Sequence, residues 1–177
     1  MTIVHTIGHS TRDFDLVVTM LRSNMVTQLL DVRSFPSSRK FPQWDREYVE
    51  SSLPPNIGYQ WMPQLGGRRY TPVGVPTPNG GWRVKAFRDY ADYMSTPAFQ
   101  AGLDQLIHLA DHSSPAIMCS EAVPLRCHRR LIADALLVRG VTVSHIMSTA
   151  ATRPAELTSF AEVREGSITY PPAESAA

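Results

Sequence analysis

Both cysteines of the chain, Cys119 and Cys127, stand in the segment AIMCSEAVPLRCHRRLIADALLVRG, residues 116–140, and Glu121, His128 and Arg129 lie within the same eleven positions, 119–129. Thiol, carboxylate, imidazole and guanidinium so close together are the groups that nucleophilic and acid–base catalysis use. In one reading Cys119, at the end of a strand AIMC, is a nucleophile. A helix starting near Cys127 offers unpartnered N–H groups, and Arg126, Arg129 and Arg130 add positive charge, a setting that lowers a thiol from about 8.5 toward neutrality. Arg126 or Arg129 then holds an oxyanion, while Glu121 or His128 acts as acid or base. In a second reading Cys119, Cys127 and His128 ligate zinc or iron, with Glu121 as fourth ligand or general base. A third has one thiol attack and the other resolve, as in a redox switch. The plain alternative is packing, since free cysteine is a common small apolar filler.

A cysteine between strand and helix is an arrangement shared with cysteine-dependent phosphatases and sulfurtransferases. The phosphatase loop places arginine six positions after its cysteine; this chain has Leu125 there, and Arg126 comes one residue late.

The elements that must position these groups follow from periodicity. TIVHTIG reads as a strand, FDLVVTMLRSN as a helix with Asp13 near its start, and TQLLDVR as a second strand, which together make a right-handed βαβ unit. DREYVESSL is a short helix that Asp45 can cap, and GYQWMPQL is a third strand. Residues 66–82, GGRRYTPVGVPTPNGGW, carry too much glycine and proline for regular structure, and a loop of that length is functional or mobile as a rule. VKAFRDYADYM and PAFQAGLDQLIHLADH are two helices, with Pro97 in the first turn of the second. SPAIMC, CHRRLIADALLVR ended by Gly140, and VTVSHIM complete the pattern as strand, helix and strand. The expected fold is α/β, a single domain over 1–148 with a mainly parallel sheet flanked by helices. A partly irregular tail covers 149–177, and ITYPPAESAA is expected to fray.

Open α/β sheets gather ligands at the carboxyl ends of their strands. That edge should hold His9 and Ser10 from IGHS, Asp31 and Arg33 from LLDVRSFP, and Gly66, Gly67 and Arg68 from LGGRRY. His9 is a catalytic candidate, with Ser10 read as a helix cap. Arg33 is expected to clamp an anion with Asp31 orienting His9 or another partner, against the alternative that Asp31 and Arg33 are a buried pair organising loops. Gly66 and Gly67 allow close approach of backbone to a ligand, and Arg68 adds charge. Arg39, Lys40, Arg68, Arg69 and Arg83, interleaved with Phe41, Trp44, Tyr70 and Trp82, have the composition of a nucleic-acid surface or of an exposed loop. Phe87, Tyr90, Tyr93 and Phe99 read as core.

The totals set the frame. With 177 residues and 43% hydrophobic content, one sizeable core is attainable. Lys plus Arg at 17 against Asp plus Glu at 16 excludes a chain that is basic overall. No apolar run approaches a membrane span, and MTIVHTIGHS lacks the pattern of a signal peptide, so a cytoplasmic location is expected, with the cysteines as thiols, ligands or redox groups.

Taken in order, TIGHS, LLDVRSFPSSR, LGG, FRDYADYM, IMCSEAVPLRCHRRLIADAL and VSHI resemble the bacterial and archaeal family of domains of unknown function numbered 488, over about Thr6 to Ile146. The resemblance implies an α/β fold with a parallel sheet. It also implies a pattern of Cys, Glu, then Cys-His-Arg that falls on Cys119, Glu121, Cys127, His128 and Arg129. The combined expectation is an enzyme, thiol-dependent or metal-assisted, acting on an anionic small molecule, nucleotide or nucleic acid. Its alternatives are a nucleic-acid-binding or regulatory module with a Cys/His metal centre, and a thiol redox sensor.

Overall fold

The structure, a computed structural model, describes residues 1–174. Its main elements are β1 (Ile3–Gly8), α1 (Phe14–Ser23), β2 (Gln28–Asp31), α2 (Arg46–Ser52), β3 (Gly58–Trp61), α3 (Lys85–Met94), α4 (Pro97–His112), β4 (Pro115–Cys119), α5 (Arg129–Val138), β5 (Thr142–Ile146) and β6 (Thr152–Pro154), followed by a hairpin of β7 (Glu162–Arg164) and β8 (Ser167–Thr169). The six-stranded sheet has the order β3-β2-β4-β1-β5-β6, parallel throughout except for antiparallel β6. This is the mixed α/β, single-domain architecture that the alternation of strand and helix patterns predicts.

The two central strands, β1 and β4, are apolar along most of their length because helices cover both faces. Alternate residues divide between two cores. Ile7, Leu29, Ala116 and Met118 pack with α1, α2 and Trp44 on one face. Val4, Leu30, Val32, Ile117 and Cys119 pack with α3, α4 and α5 on the other. The connection from β1 leads to one side of the sheet and the connection from β4 to the other, so the strand order reverses between these neighbours. Their carboxyl ends, paired at Gly8 and Cys119, therefore flank the crevice where such sheets bind ligands.

Several local expectations change. Ser10 does not cap α1: Asp13 occupies the cap position, and Ser10 sits in a left-handed turn with φ 49°. Asp45 does stand at the cap position of α2, but its side chain makes no cap hydrogen bond. Thr96 caps α4, accepting from the Phe99 amide, with Pro97 in the first turn. Gly140 ends α5 at φ 77°, the left-handed geometry that makes glycine the ordinary residue there.

The irregular stretch 66–82 is pinned rather than loose, because the Asp92 carboxylate accepts from Thr71 (3.1 Å), Asn79 (2.8 Å) and Thr77. Trp44 and Trp82, read as members of an exposed stacking surface, are buried core residues at 0% and 5% exposure. The segment expected to fray is also anchored. Tyr170 is fully buried, donates its hydroxyl to Asp134 (2.7 Å) and its amide to the Asn79 side-chain oxygen (3.0 Å), and accepts at its carbonyl from the Gly81 amide (2.8 Å). Asp134 lies inside the apolar stripe of α5 and has no cation partner among the described residues. Burial raises its pKa, and the strap carrying Thr158 and Tyr170 supplies the donors it needs. The last three residues of ITYPPAESAA lie outside the described residues. Among the described residues no helix is long and apolar enough to cross a membrane.

Candidate functional site

Strand β4 delivers Cys119 to the carboxyl edge on the face covered by α5. Residues 120–126 then cross the top of β1, with one 3-10 turn at Pro124–Arg126, and bring Cys127 to the start of α5. The crossing is tight. The His9 amide bonds the Cys119 carbonyl and the Ser10 amide the Ser120 carbonyl, each at 3.0 Å, and a Cβ on Gly8 would lie 1.9 Å from the Glu121 carbonyl oxygen. Only glycine fits there. The Glu121 carboxylate accepts from the Val123 amide (3.0 Å), closing the turn. The result is a pair of sulfurs, Cys119 Sγ and Cys127 Sγ, 3.1 Å apart.

Arg129 locks this pair. It is 1% exposed, with Nε 3.1 Å and its own amide 3.3 Å from Cys127 Sγ. Its Nη1 donates to Thr6 Oγ1 (3.2 Å), and Nη2 to the Glu121 carbonyl. None of these partners is a carboxylate. A buried guanidinium cannot shed its proton, so it needs an anion, and the group placed to supply one is the Cys127 thiolate. The hydrogen bond from Cys119, followed by His128 and Arg129, pushes the Cys127 thiol down to about 3 against the opposing effect of burial. Cys119 moves the other way, raised well above the ordinary thiol by burial and then by the neighbouring anion. The two shifts run in opposite directions, favouring the proton on Cys119 and the charge on Cys127, with the sulfurs within hydrogen-bond reach of each other. The expected thiolate at Cys119 is thereby corrected to Cys127, because the arginine and the first helical amide reach the second sulfur, while the strand end is enclosed.

On the opposite face Asp31 and Arg33 form a bidentate pair, Nε to Oδ1 at 2.9 Å and Nη2 to Oδ2 at 2.7 Å, with Tyr59 donating to Oδ2 (2.6 Å). Arg33 Nη1 donates to the Trp44 carbonyl (2.7 Å) and toward His9 Nε2 (3.4 Å). Four of its five N–H groups are spent inside the protein, so the expected anion clamp at Arg33 is corrected to an internal pair that organises loops. Asp31 orients Arg33, not His9. The His9 ring stacks on Trp44 with centroids 4.6 Å apart, and its Nδ1 donates to the Ser10 carbonyl (2.9 Å). Burial foremost, with the Arg33 charge also contributing, lowers His9 to about 4, so it is neutral at pH 7.

Between these walls opens a cleft of about 410 Å³, with both cysteines, His9 and His128 among its lining groups. His128 donates Nε2–H to the Val32 carbonyl (2.8 Å), and its Nδ1 side is hard against Gly67, where a Cβ would lie 2.5 Å away. Gly67 therefore makes room for the imidazole. Gly66 does not line the cleft and packs on Ser34. Arg68 lines the mouth, stacked over Phe35 at 5.3 Å, and its guanidinium has no acidic partner among the described residues. Arg126 is exposed and off the cleft. Among the described residues no group of three His, Cys, Asp or Glu side chains is placed to hold a metal ion. The candidate zinc or iron set of Cys119, Cys127 and His128 is corrected accordingly: the sulfurs face each other, and His128 Nε2 is turned to Val32.

The model of a family described as "Domain of unknown function DUF488" matches residues 13–136. The chain belongs to the DUF488 family. The match spans α1 through most of α5 and includes Cys119, Glu121, Cys127, His128 and Arg129, whereas His9 precedes it and the strap with Tyr170 follows it. Searches of the curated proteins and of the solved structures found no match. In this DUF488 chain the site also uses Thr6, Gly8, Trp44 and Tyr59, which sequence reasoning missed or misplaced. Gly8 closes the strand in IGHS, a glycine at a strand end being the one local signal of a close approach there; Thr6 and Tyr59 carry no signal beyond strand periodicity.

Proposed function

We propose that this DUF488 protein is a thiol-dependent enzyme of the transferase or hydrolase type, acting on a small anionic substrate in the cleft. Cys127 is the nucleophile and Cys119 its proton-bearing partner. The observation that carries the reading is Arg129, a buried cation whose nearest anion is a sulfur on the cleft wall. A thiolate is the attacking form of cysteine, and at about 3 Cys127 is fully ionised at neutral pH. A reducing compartment such as the cytoplasm keeps both sulfurs as free thiols, which this chemistry requires. Arg68 supports an anionic substrate, since it is the cation on the cleft without an acidic neighbour among the described residues. Substrate-assisted proton transfer falls to Cys119, with neutral His9 and the Glu121 carboxylate at the cleft as further candidates.

The reading of a nucleic-acid module loses support, because two of its aromatic platforms are core residues. A redox pair is favoured by one observation, the 3.1 Å between the sulfurs, which a modest movement would convert to a disulfide.

The test is the rate of alkylation of each cysteine by iodoacetamide across pH, read by peptide mass spectrometry. Cys127 should react below about pH 7 with a flat profile, Cys119 should stay protected, and Cys127→Ser should abolish the fast phase. Slow reaction of both thiols at that pH would remove the basis for the proposal.

A further inference from the structure

We infer that the group carried by Cys127 is sulfane sulfur, held as a persulfide, and that the donor is a small anion with a terminal sulfur of the thiosulfate type. The inference rests on the thiolate nucleophile argued above and names its substrate class. Its basis is charge conservation around a buried cation. Arg129 is 1% exposed, and its described partners are Cys127 Sγ, the Thr6 hydroxyl and the Glu121 and Ala122 carbonyls. If Cys127 becomes a thioester, a mixed disulfide or a neutral sulfenic acid, the thiolate charge disappears and the guanidinium is left buried without an anion, which is strongly unfavourable. A persulfide is different. The chain Cβ–Sγ–S⁻ keeps the full negative charge, shifted by one bond toward the cleft, beside the same helix start and the same arginine.

The step balances without any further reactant. The Cys127 thiolate attacks the outer sulfur of the donor, an S–S bond forms on the enzyme, the donor's own S–S bond breaks, and sulfite leaves with the electron pair. Total charge is the same on each side. Discharge is the reverse type of step: a small thiolate attacks the outer sulfur, takes it as its own persulfide, and releases the Cys127 thiolate.

Two further features fit this cargo. Arg68 at the mouth has no acidic partner among the described residues and can hold the oxyanion end of the donor while the sulfur end reaches the floor. Cys119 stands 3.1 Å from Cys127 yet is kept protonated by its burial and by the neighbouring charge. In that form it donates a hydrogen bond to the anion but does not attack the persulfide, which would otherwise collapse to a disulfide and expel sulfide.

The experiment incubates the full chain with thiosulfate and, separately, with inorganic polysulfide, followed by intact mass and peptide mapping, with iodoacetamide alkylation run in parallel. The expected result is a gain of one sulfur atom on Cys127, removed by cyanide as thiocyanate, absent in Cys127→Ser and present in Cys119→Ser. In Arg68→Gln, the rate of loading from thiosulfate should fall about fivefold relative to the alkylation rate of the same variant. Fast alkylation of Cys127 without uptake of sulfur from either donor overturns sulfur transfer and leaves the thiol enzyme standing. A Cys119–Cys127 disulfide in place of the persulfide overturns it in favour of the redox pair. Failure of Cys127 to alkylate at about pH 6 overturns both readings at once.

Discussion

Two buried arginines sit at the same edge of the sheet on opposite faces, and they are held in different ways. Arg33 meets a carboxylate in a bidentate pair that a tyrosine hydroxyl completes. Arg129 meets a thiolate, two backbone carbonyls and a hydroxyl. Each has a neutral histidine near it: His9 faces Arg33 directly, and His145 reaches Arg129 through Thr6, whose hydroxyl lies 2.7 Å from His145 Nδ1. The difference lies in the anion. A carboxylate locked in a bidentate pair is chemically inert, so the first pair is architecture. A thiolate is a nucleophile, and the cation that holds it also keeps it ionised, so the second pair is chemistry under restraint.

The largest expected effect comes from removing the cation on each side. Arg33→Met leaves the buried Asp31 carboxylate without its cation and should lose about 3–5 kcal/mol in chemical denaturation. Arg129→Met should lose less, about 1–3 kcal/mol, since Cys127 simply binds a proton. Its alkylation below neutral pH should nevertheless fall at least about tenfold, which Arg33→Met leaves unaffected wherever the variant remains folded. Equal stability losses would remove the distinction between the two pairs.

Next in size is Gly8→Ala. The new methyl meets a backbone carbonyl at 1.9 Å, so the 119–127 crossing must shift, at a cost of about 1–3 kcal/mol and with separation of the two sulfurs. Phenylarsine oxide, which bridges adjacent thiols, should bind wild type and lose affinity in this variant. Unchanged binding would mean that the crossing does not set the sulfur spacing.

The smallest effect at neutral pH is that of the histidines. His9 and His145 are each lowered from 6.5 to about 4, chiefly by burial. A base depressed in the folded state contributes stability that is complete above its unfolded pKa and is lost as pH falls through the folded one. Wild-type stability should therefore decline between pH 6.5 and about 4, by at most about 1.4 kcal/mol per pH unit for each histidine. His145→Asn should remove about a third or less of the total slope in urea titrations across this range, because Cys127 and His5, both lowered in the folded state, contribute over the same window, with little change at pH 7. An unaltered slope would assign the acid sensitivity to other groups.

How much of this was legible in the sequence differs between fold and site. Period-2 and period-3.6 patterns located the central strands and the long helices, because burial on both faces or on one stripe writes itself directly into residue type. The edge of the sheet was legible too, through Gly8, Asp31 and Cys119 as the ends of apolar runs. What the pattern did not carry was pairing. Nothing in CSEAVPLRCHR says which sulfur takes the proton, since that depends on where Arg129 points after one turn of 3-10 helix. Trp44 and Trp82 looked like surface aromatics because their neighbours in sequence are charged, while their neighbours in space are His9, Phe14, Phe87 and Tyr170. Tyr170 looked like a terminus because its value lies in one long-range bond to Asp134.

The central claim is that one proton is shared unequally, with the anion on Cys127. It is tested most directly by nuclear magnetic resonance of the chain labelled with carbon-13 at cysteine Cβ, followed from acid to alkaline pH and assigned with the two Cys→Ser variants. The account predicts one Cβ with the thiolate shift already at about pH 5, assigned to Cys127, and a second that stays a thiol beyond about pH 9, assigned to Cys119. Two resonances titrating together near about 8.5 would contradict it, as would an early thiolate assigned to Cys119.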